Sequence, residues 1–80
     1  MDARAVIAYR IEMLCKERNI TINALSYISG VSNSTIKGIF YKRSKNPGVV
    51  TIKKICDGLN ITLGEFFNTP EFDNLEQEIK

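Results

Sequence analysis

Three side chains in the middle of the chain have the chemistry to contact nucleic acid. Asn33 carries a carboxamide that can pair with an adenine edge through two hydrogen bonds, and the Ser34 hydroxyl suits several bases. Lys37 adds an ammonium group one helical turn further along, and Tyr41 extends the same outer face. Helix capping is the alternative role for Asn33 and Ser34, and a solvated surface lysine is the alternative for Lys37.

Two short helices joined by a tight turn are predicted to position these side chains. Thr21 and Ser32 precede the two helical patterns, and each can accept hydrogen bonds from free N–H groups as an N-cap. Gly30 suits the left-handed backbone conformation that ends a helix, and Val31 can fill the corner behind it.

The apolar spacing of this segment predicts which side of each helix faces the core. Four residues are spaced to point inward: Leu25, Ile28, Ile36 and Ile39. The opposite face of the second helix is left polar and basic, as contact with base edges and phosphates requires. We therefore interpret the segment as a helix-turn-helix, whose main function is to bind duplex DNA.

The charge distribution agrees with a polyanionic partner. No acidic residue occurs between Glu17 and Asp57, a segment that holds Arg18, Lys37, Lys42, Arg43, Lys45, Lys53 and Lys54. Acidic residues then crowd the C-terminal end: Glu65, Glu71, Asp73, Glu76 and Glu78. The net charge of +2 hides this division into a basic middle and an acidic tail.

The remaining apolar pattern predicts an all-α, compact domain of five helices over residues 1–68. A first helix over residues 3–18 has an apolar stripe of Ala3, Ile7, Ile11, Leu14 and Cys15. A fourth helix over residues 50–59 ends at Asn60, and Thr62 caps a fifth whose Phe66 and Phe67 close the core. Tyr27 is expected to be partly buried.

Residues 69–80 are predicted to form a separate acidic C-terminal tail, with a short helix that starts near Pro70. Its sparse apolar stripe consists of Phe72, Leu75 and Ile79. These side chains either fold back on their own core or contact a second subunit.

Several other classes of function are disfavoured by what the sequence lacks. Histidine is absent, and no carboxylate pair, activated nucleophile or phosphate-binding glycine loop can be assembled, so we expect no enzyme, no cofactor and no metal site. Cys15 and Cys56 lie in apolar stripes and are predicted to be buried thiols, with a disulfide as the alternative. No apolar run approaches the roughly 20 residues that span a bilayer. The first residues lack the layout of a signal peptide, so we expect a cytoplasmic protein without membrane contact.

Residues 4–67 resemble the Cro/C1-type (XRE-like) helix-turn-helix domain of phage repressors and bacterial transcriptional regulators. The turn signature is carried by Leu25 and by Gly30-Val31-Ser32. Ser34-Thr35-Ile36 with Ile39 resembles the recognition helix of the family, and Asn46-Pro47 resembles the loop that follows it. Residues 52–67 resemble the closing pair of helices.

The resemblance implies a lambda-repressor-like fold whose third helix enters the major groove of double-stranded DNA. The positions where the family reads bases are occupied here by Asn33, Ser34, Lys37 and Gly38. The positions where it contacts the DNA backbone are occupied by Thr21, Thr35, Tyr41, Lys42, Arg43, Lys45 and Asn46. Operators of this family are commonly two half-sites, which implies a homodimer with Phe72, Leu75 and Ile79 as candidate contacts.

Three residues depart from the family pattern. Ile22 replaces a frequent phosphate-binding glutamine, Gly38 replaces a longer polar side chain, and Phe40 replaces a frequently acidic residue and is expected to add to the core. The main hypothesis is a small, sequence-specific repressor. The thinner contact set leaves an alternative open, in which the helix-turn-helix is the scaffold of an antitoxin-like or adaptor module whose C-terminal tail binds a protein.

Overall fold

The computed structural model describes residues 2–41 and 46–79, and within these ranges the secondary structure is entirely helical. In chain order the helices are α1 Ala3–Arg18, α2 Ile22–Ser29, α3 Asn33–Phe40, α4 Val49–Leu59, α5 Leu63–Phe67 and α6 Pro70–Asp73. The predicted all-α architecture of five helices and a short helical tail is confirmed. Lys42, Arg43 and Lys45 lie outside the described residues.

Local hydrogen bonds explain where several helices begin and end. Thr62 Oγ1 accepts from the Glu65 N–H at 3.0 Å, and Glu65 Oε1 accepts from the Thr62 N–H at 2.9 Å, which completes a capping box on α5. The hydrogen bond from the Thr62 N–H holds the pKa of the Glu65 carboxyl below its usual value. Asn19 and Asn60 end α1 and α4 in the left-handed conformation, with φ of 55° and 59°. The predicted roles of Thr62 and Asn60 are confirmed.

The core lies between α1, α2, α3, α4 and α5. Its buried members include Ile11, Leu14, Cys15, Leu25, Val31, Ile36, Ile39, Ile52, Ile55, Cys56, Leu59 and Phe66. Most of the predicted core residues are therefore confirmed, and Phe66 is the largest of the fully buried side chains. The arrangement leaves α3 with only one side in contact with the rest of the domain.

Two predictions about α2 are wrong. Ile28 was expected to point inward but is 44% exposed, because the backbone of α2 at Ile28, and not its side chain, approaches α4 at Gly58. Tyr27 was expected to be partly buried but is 89% exposed. It lies two residues from the buried Leu25, about 200° around the helix, and so faces away from the core.

The buried surface of α1 is broader than a single stripe. Val6 is buried although its position lies beside the predicted stripe, whereas Ala3 and Ile7 are only half-buried. Helix α1 contacts both α3 and α6, and two neighbours cover more of a helix than one. Sequence periodicity alone predicts the stripe but not the second neighbour.

Three phenylalanines join the C-terminal segment to the core. The Phe72 ring centroid lies 4.9 Å from that of Phe67 and 6.0 Å from that of Phe66, within the range of favourable aromatic pairs. Phe66 and Phe67 were both expected to close the core. Phe66 is fully buried, whereas Phe67 is 38% exposed and covers the core from outside. Helix α6 has only 4 residues, and residues 74–79 after it are not helical.

A side chain from α1 completes the end of α5. Arg10 Nε donates to the Phe66 carbonyl at 2.8 Å, and Arg10 Nη2 donates to the Glu65 carbonyl at 3.0 Å. The last carbonyls of a helix lack partners within it, so this guanidinium supplies the missing donors. The contact joins residues more than 50 positions apart, and sequence reasoning did not find it.

The two thiols are buried and free. Cys15 and Cys56 form no disulfide, which confirms the prediction of small apolar core residues. Burial raises the pKa of both thiols, because it removes water from the thiolate form.

The close approach of α2 to α4 leads to a prediction about Gly58. A Cβ added at this position would lie 2.8 Å from the Ile28 carbonyl oxygen and 2.9 Å from the Ser29 Cα. Alanine normally stabilises a helix interior by up to about 1 kcal/mol over glycine. Because the neighbouring atoms here are backbone, we expect Gly58→Ala to lower the free energy of unfolding by about 1–3 kcal/mol, the usual range for overpacking. Urea denaturation followed by circular dichroism measures it.

Gly64→Ala is the matched control. The nearest atom to its added Cβ is Thr62 Oγ1 at 3.7 Å, an ordinary contact, so this variant should be neutral or more stable. Equal stability of Gly58→Ala and the wild type would contradict the close packing.

Candidate nucleic-acid interface

Helix α3 presents a polar outer face because its large apolar residues face the core. Ile36 and Ile39 are buried, whereas the polar side chains of the first turn and the ammonium of Lys37 are exposed. The exposed residues of this face are Asn33, Ser34, Thr35 and Lys37. Gly38 lies half-buried beside Lys37, and Tyr41 follows the helix with 63% of its surface exposed.

The start of α3 is capped by Ser32, as predicted. Ser32 Oγ accepts from the Thr35 N–H at 3.2 Å and donates to Thr35 Oγ1 at 2.9 Å. Ser32 occupies the N-cap, so Asn33 and Ser34 lie inside the helix. Both side chains are exposed on the surface of α3.

The turn between α2 and α3 has the predicted geometry. Gly30 is left-handed with a φ of 73°, and its N–H donates to the Ser26 carbonyl at 2.9 Å. Val31 is buried in the corner, as expected. Two further contacts were not foreseen: Ser26 Oγ donates to the Val31 carbonyl at 2.6 Å, and Ser29 Oγ accepts from the Val31 N–H at 3.2 Å. The only signal in the sequence is the pair of serines in the turn before Gly30.

The N-terminus of α2 is held in a way that agrees with the prediction for Thr21. Its Oγ1 accepts from the Ala24 N–H at 3.1 Å, which leaves the hydroxyl hydrogen able to donate elsewhere. Ile22 and Phe40, two of the three departures from the family pattern, are half-buried against the core. The expectation that Phe40 adds to the core is confirmed.

Charge on the outer face of α3 is not cancelled by a carboxylate. Within residues 2–41 and 46–79 the ion pairs join Arg4 to Asp2, Lys16 to Glu12, and Lys53 to Asp57. None of these pairs involves Lys37, so its ammonium remains available to an anionic partner. Lys53, by contrast, contributes less to the basic middle segment, because Asp57 lies beside it.

The described part of the chain contains no group of His, Cys, Asp or Glu side chains placed to hold a metal ion. It also contains no helix that is both long and apolar enough to cross a bilayer.

The family model of the Cro/C1-type HTH DNA-binding domain matches residues 10–71. The chain belongs to this family. The predicted family and fold are thus confirmed. Domains of this DNA-binding family are typically non-enzymatic.

A solved structure supports the same assignment. The chain is 30% identical to that in "Crystal structure of the prophage Lp1 protein 11", with a TM-score of 0.82. The superposition covers 94% of this chain and 100% of the other. Among curated proteins, no sequence matches the chain.

Most of the described candidate residues for DNA contact lie on α3 or directly after it. The four candidate base-reading residues and Thr35 all lie on α3, and Tyr41 follows its last residue. Among the candidate backbone contacts, Thr21, Thr35, Tyr41 and Asn46 are exposed. The three basic candidates, Lys42, Arg43 and Lys45, fall outside the described residues.

The N-cap of α3 leads to a prediction about stability. Ser32→Ala removes the acceptor of the Thr35 N–H, so we expect the free energy of unfolding to fall by about 0.5–2 kcal/mol. Ser34→Ala, two residues away on the exposed face, should change it by less than about 0.5 kcal/mol. Urea denaturation of both variants measures the difference. Equal effects would show that Ser32 does not cap α3.

Proposed function

We propose that this Cro/C1-type domain is a sequence-specific repressor that reads the major groove of double-stranded DNA with α3. The observation that carries the proposal is the exposed polar face of Asn33, Ser34 and Lys37 above the buried Ile36 and Ile39. A major groove about 12 Å wide admits an α-helix, and base edges there distinguish all four base pairs.

Each member of the face has a role that its chemistry supports. The Asn33 carboxamide can donate an N–H to adenine N7 and accept from the adenine N6 amino group through its oxygen, which makes a bidentate pair. The Ser34 hydroxyl serves as donor or acceptor on an adjacent base. Lys37 donates to guanine acceptors or to a phosphate. Gly38 has no side chain, so it allows the helix backbone to approach the DNA closely.

Contacts to phosphates fix the register of α3 on the duplex. Thr21 at the start of α2 can donate its hydroxyl hydrogen to a phosphate while it caps the helix. Thr35, Tyr41 and Asn46 supply further exposed polar groups. Lys42, Arg43 and Lys45 follow α3 in the sequence and add positive charge that favours phosphate contact.

The mode of action that fits a domain of this size is occlusion. A homodimer that covers two half-sites in a promoter excludes polymerase from the DNA. Of the candidate dimer contacts in the tail, Phe72 contacts its own Phe66 and Phe67, and Leu75 is half-buried. Ile79 is 87% exposed, so it is the tail residue most open to a second subunit.

A protein-interaction module is the second candidate. Ile79 is exposed within an acidic segment that holds Glu76 and Glu78, a surface that a basic, partly apolar partner would fit. In this case the helix-turn-helix would serve as a scaffold, and no duplex would be preferred.

Selection of duplexes from a random library at physiological salt tests the proposal. We expect enrichment of a palindrome whose half-sites lie about one helical turn, or roughly 10 base pairs, apart. This result would support both specific binding and a dimer. A folded protein that enriches no sequence would contradict the proposal and favour the protein-interaction module.

Removal of two side chains from the outer face of α3 should weaken specific binding. Asn33→Ala is expected to reduce affinity for the selected duplex by about 1–3 kcal/mol, the range for a bidentate base contact. Adding Lys37→Ala should weaken binding further and, if the lysine contacts a phosphate, lower the salt slope by about 1. Fluorescence anisotropy titrations at several salt concentrations measure both quantities.

The matched control is Asn68→Ala with Lys54→Ala, which removes the same two chemistries from exposed positions outside α2 and α3. The affinity of this variant should fall far less than that of the Asn33 and Lys37 variant, because Lys54 adds only to the general positive charge of the basic middle segment. If the Asn33 and Lys37 variant lost no more affinity than this control, the assigned recognition face would be wrong.

A further inference from the structure

We propose that Ser26 and Ser29 are positioning residues for base recognition, because together they hold the backbone of Val31 and so set the orientation of α3 relative to α2. The proposal rests on the proposed function, in which α3 reads DNA. Both serines belong to α2, and neither is among the candidate DNA contacts.

The two hydroxyl groups engage opposite ends of one residue. Ser26 Oγ donates to the Val31 carbonyl at 2.6 Å, and Ser29 Oγ accepts from the Val31 N–H at 3.2 Å. Both contacts are partly buried. Val31 is therefore held to α2 through both of its backbone polar groups, and we call this pair of contacts the serine clamp.

The backbone of Val31 needs partners from side chains because it belongs to neither helix. The closing bond of α2 runs from the Gly30 N–H to the Ser26 carbonyl, and the opening bond of α3 runs from the Ile36 N–H to the Ser32 carbonyl. Val31 lies between these bonds and is buried. Buried backbone groups are almost always hydrogen-bonded, and here the serine clamp provides the bonds.

The orientation of α3 depends on this short connection as well as on the burial of Ile36 and Ile39. Only Gly30, Val31 and Ser32 separate the two helices, and the glycine tolerates many backbone conformations. Helix α3 has 8 residues and is about 12 Å long, so a tilt of about 10° at the turn would move its far end by roughly 2 Å. Hydrogen bonds to base edges tolerate only a few tenths of an ångström. A loosened turn would therefore reduce discrimination between bases before it unfolds the domain.

The helix that carries the serine clamp is itself held in place. The backbone of Ile28 and Ser29 approaches α4 at Gly58, and the Leu25 side chain is buried in the core. The orientation that the clamp imposes on α3 is thus defined relative to the whole domain and not only relative to α2.

Binding measurements on the Ser26→Ala/Ser29→Ala variant test the proposal. The probes are the duplex enriched from the random library and a scrambled duplex of the same composition, at one fixed salt concentration. We expect the ratio of the two affinities to fall about three- to tenfold, because α3 would then have the orientation that reads bases in only about a tenth to a third of the molecules. Ser29→Thr keeps the acceptor oxygen, so its ratio should stay close to that of the wild type, whereas Ser29→Ala should lower it.

Thr62→Ala is the control for a general loss of stability. It removes a hydroxyl that caps α5, far from the helix-turn-helix in sequence, and should leave the affinity ratio unchanged. If the double serine variant showed the same ratio as Thr62→Ala, the serines would have a purely structural role and the proposal would be overturned.

A measurement without DNA separates this proposal from the proposed function. Residual dipolar couplings on the isotope-labelled free protein report the angle between α2 and α3. A changed or broadened angle in the double serine variant supports the serine clamp, and an unchanged angle overturns it. If the wild type enriches no duplex, the proposed function fails, and the angle alone still decides whether the two serines orient α3.

Discussion

The contact between the end of α2 and the last turn of α4 is the constraint on which the rest of the domain depends. Gly58 has no side chain, and the Ile28 carbonyl occupies the space that a Cβ would need. Backbone therefore meets backbone, and the position of α2 is defined with little freedom. Helix α3 follows after three residues, so the surface that it presents inherits this position. Gly58 on α4 thus helps to position the exposed side chains of α3, although it does not contact them.

The domain separates residues that hold its shape from the exposed residues of α3, which we propose as its binding residues. Aliphatic side chains and Phe66 fill the interior, and Arg10 ties α1 to the end of α5 through two backbone carbonyls. The outer face of α3 contributes almost nothing to this framework, since its side chains are exposed. Substitutions on that face are therefore expected to change the stability of the domain little, so the proposed binding residues could vary without loss of the fold.

The parts of this structure that the sequence predicts are those with local causes. Thr21, Ser32 and Thr62 cap helices through bonds that span three residues, and Gly30 meets a local backbone need, so all four were found from the sequence. The outer face of α3 follows from periodicity in the same way. Arg10 and the exposed Ile28 could not be found, because each depends on a partner that is distant along the chain. The serine clamp is local, yet serine has several possible acceptors within one turn, and the sequence does not say which one it takes.

The buried thiols give the domain internal reporters of its own opening. Cys15 and Cys56 lie in the core on α1 and α4, and desolvation raises the pKa of both, so the reactive thiolate is scarce while the fold is closed. Alkylation must therefore wait for these helices to separate. A ligand that binds only the folded form lowers the population of the open form by mass action. The rate of thiol modification is consequently a readout of occupancy that needs no engineered label. It is sensitive to any partner that binds the folded domain.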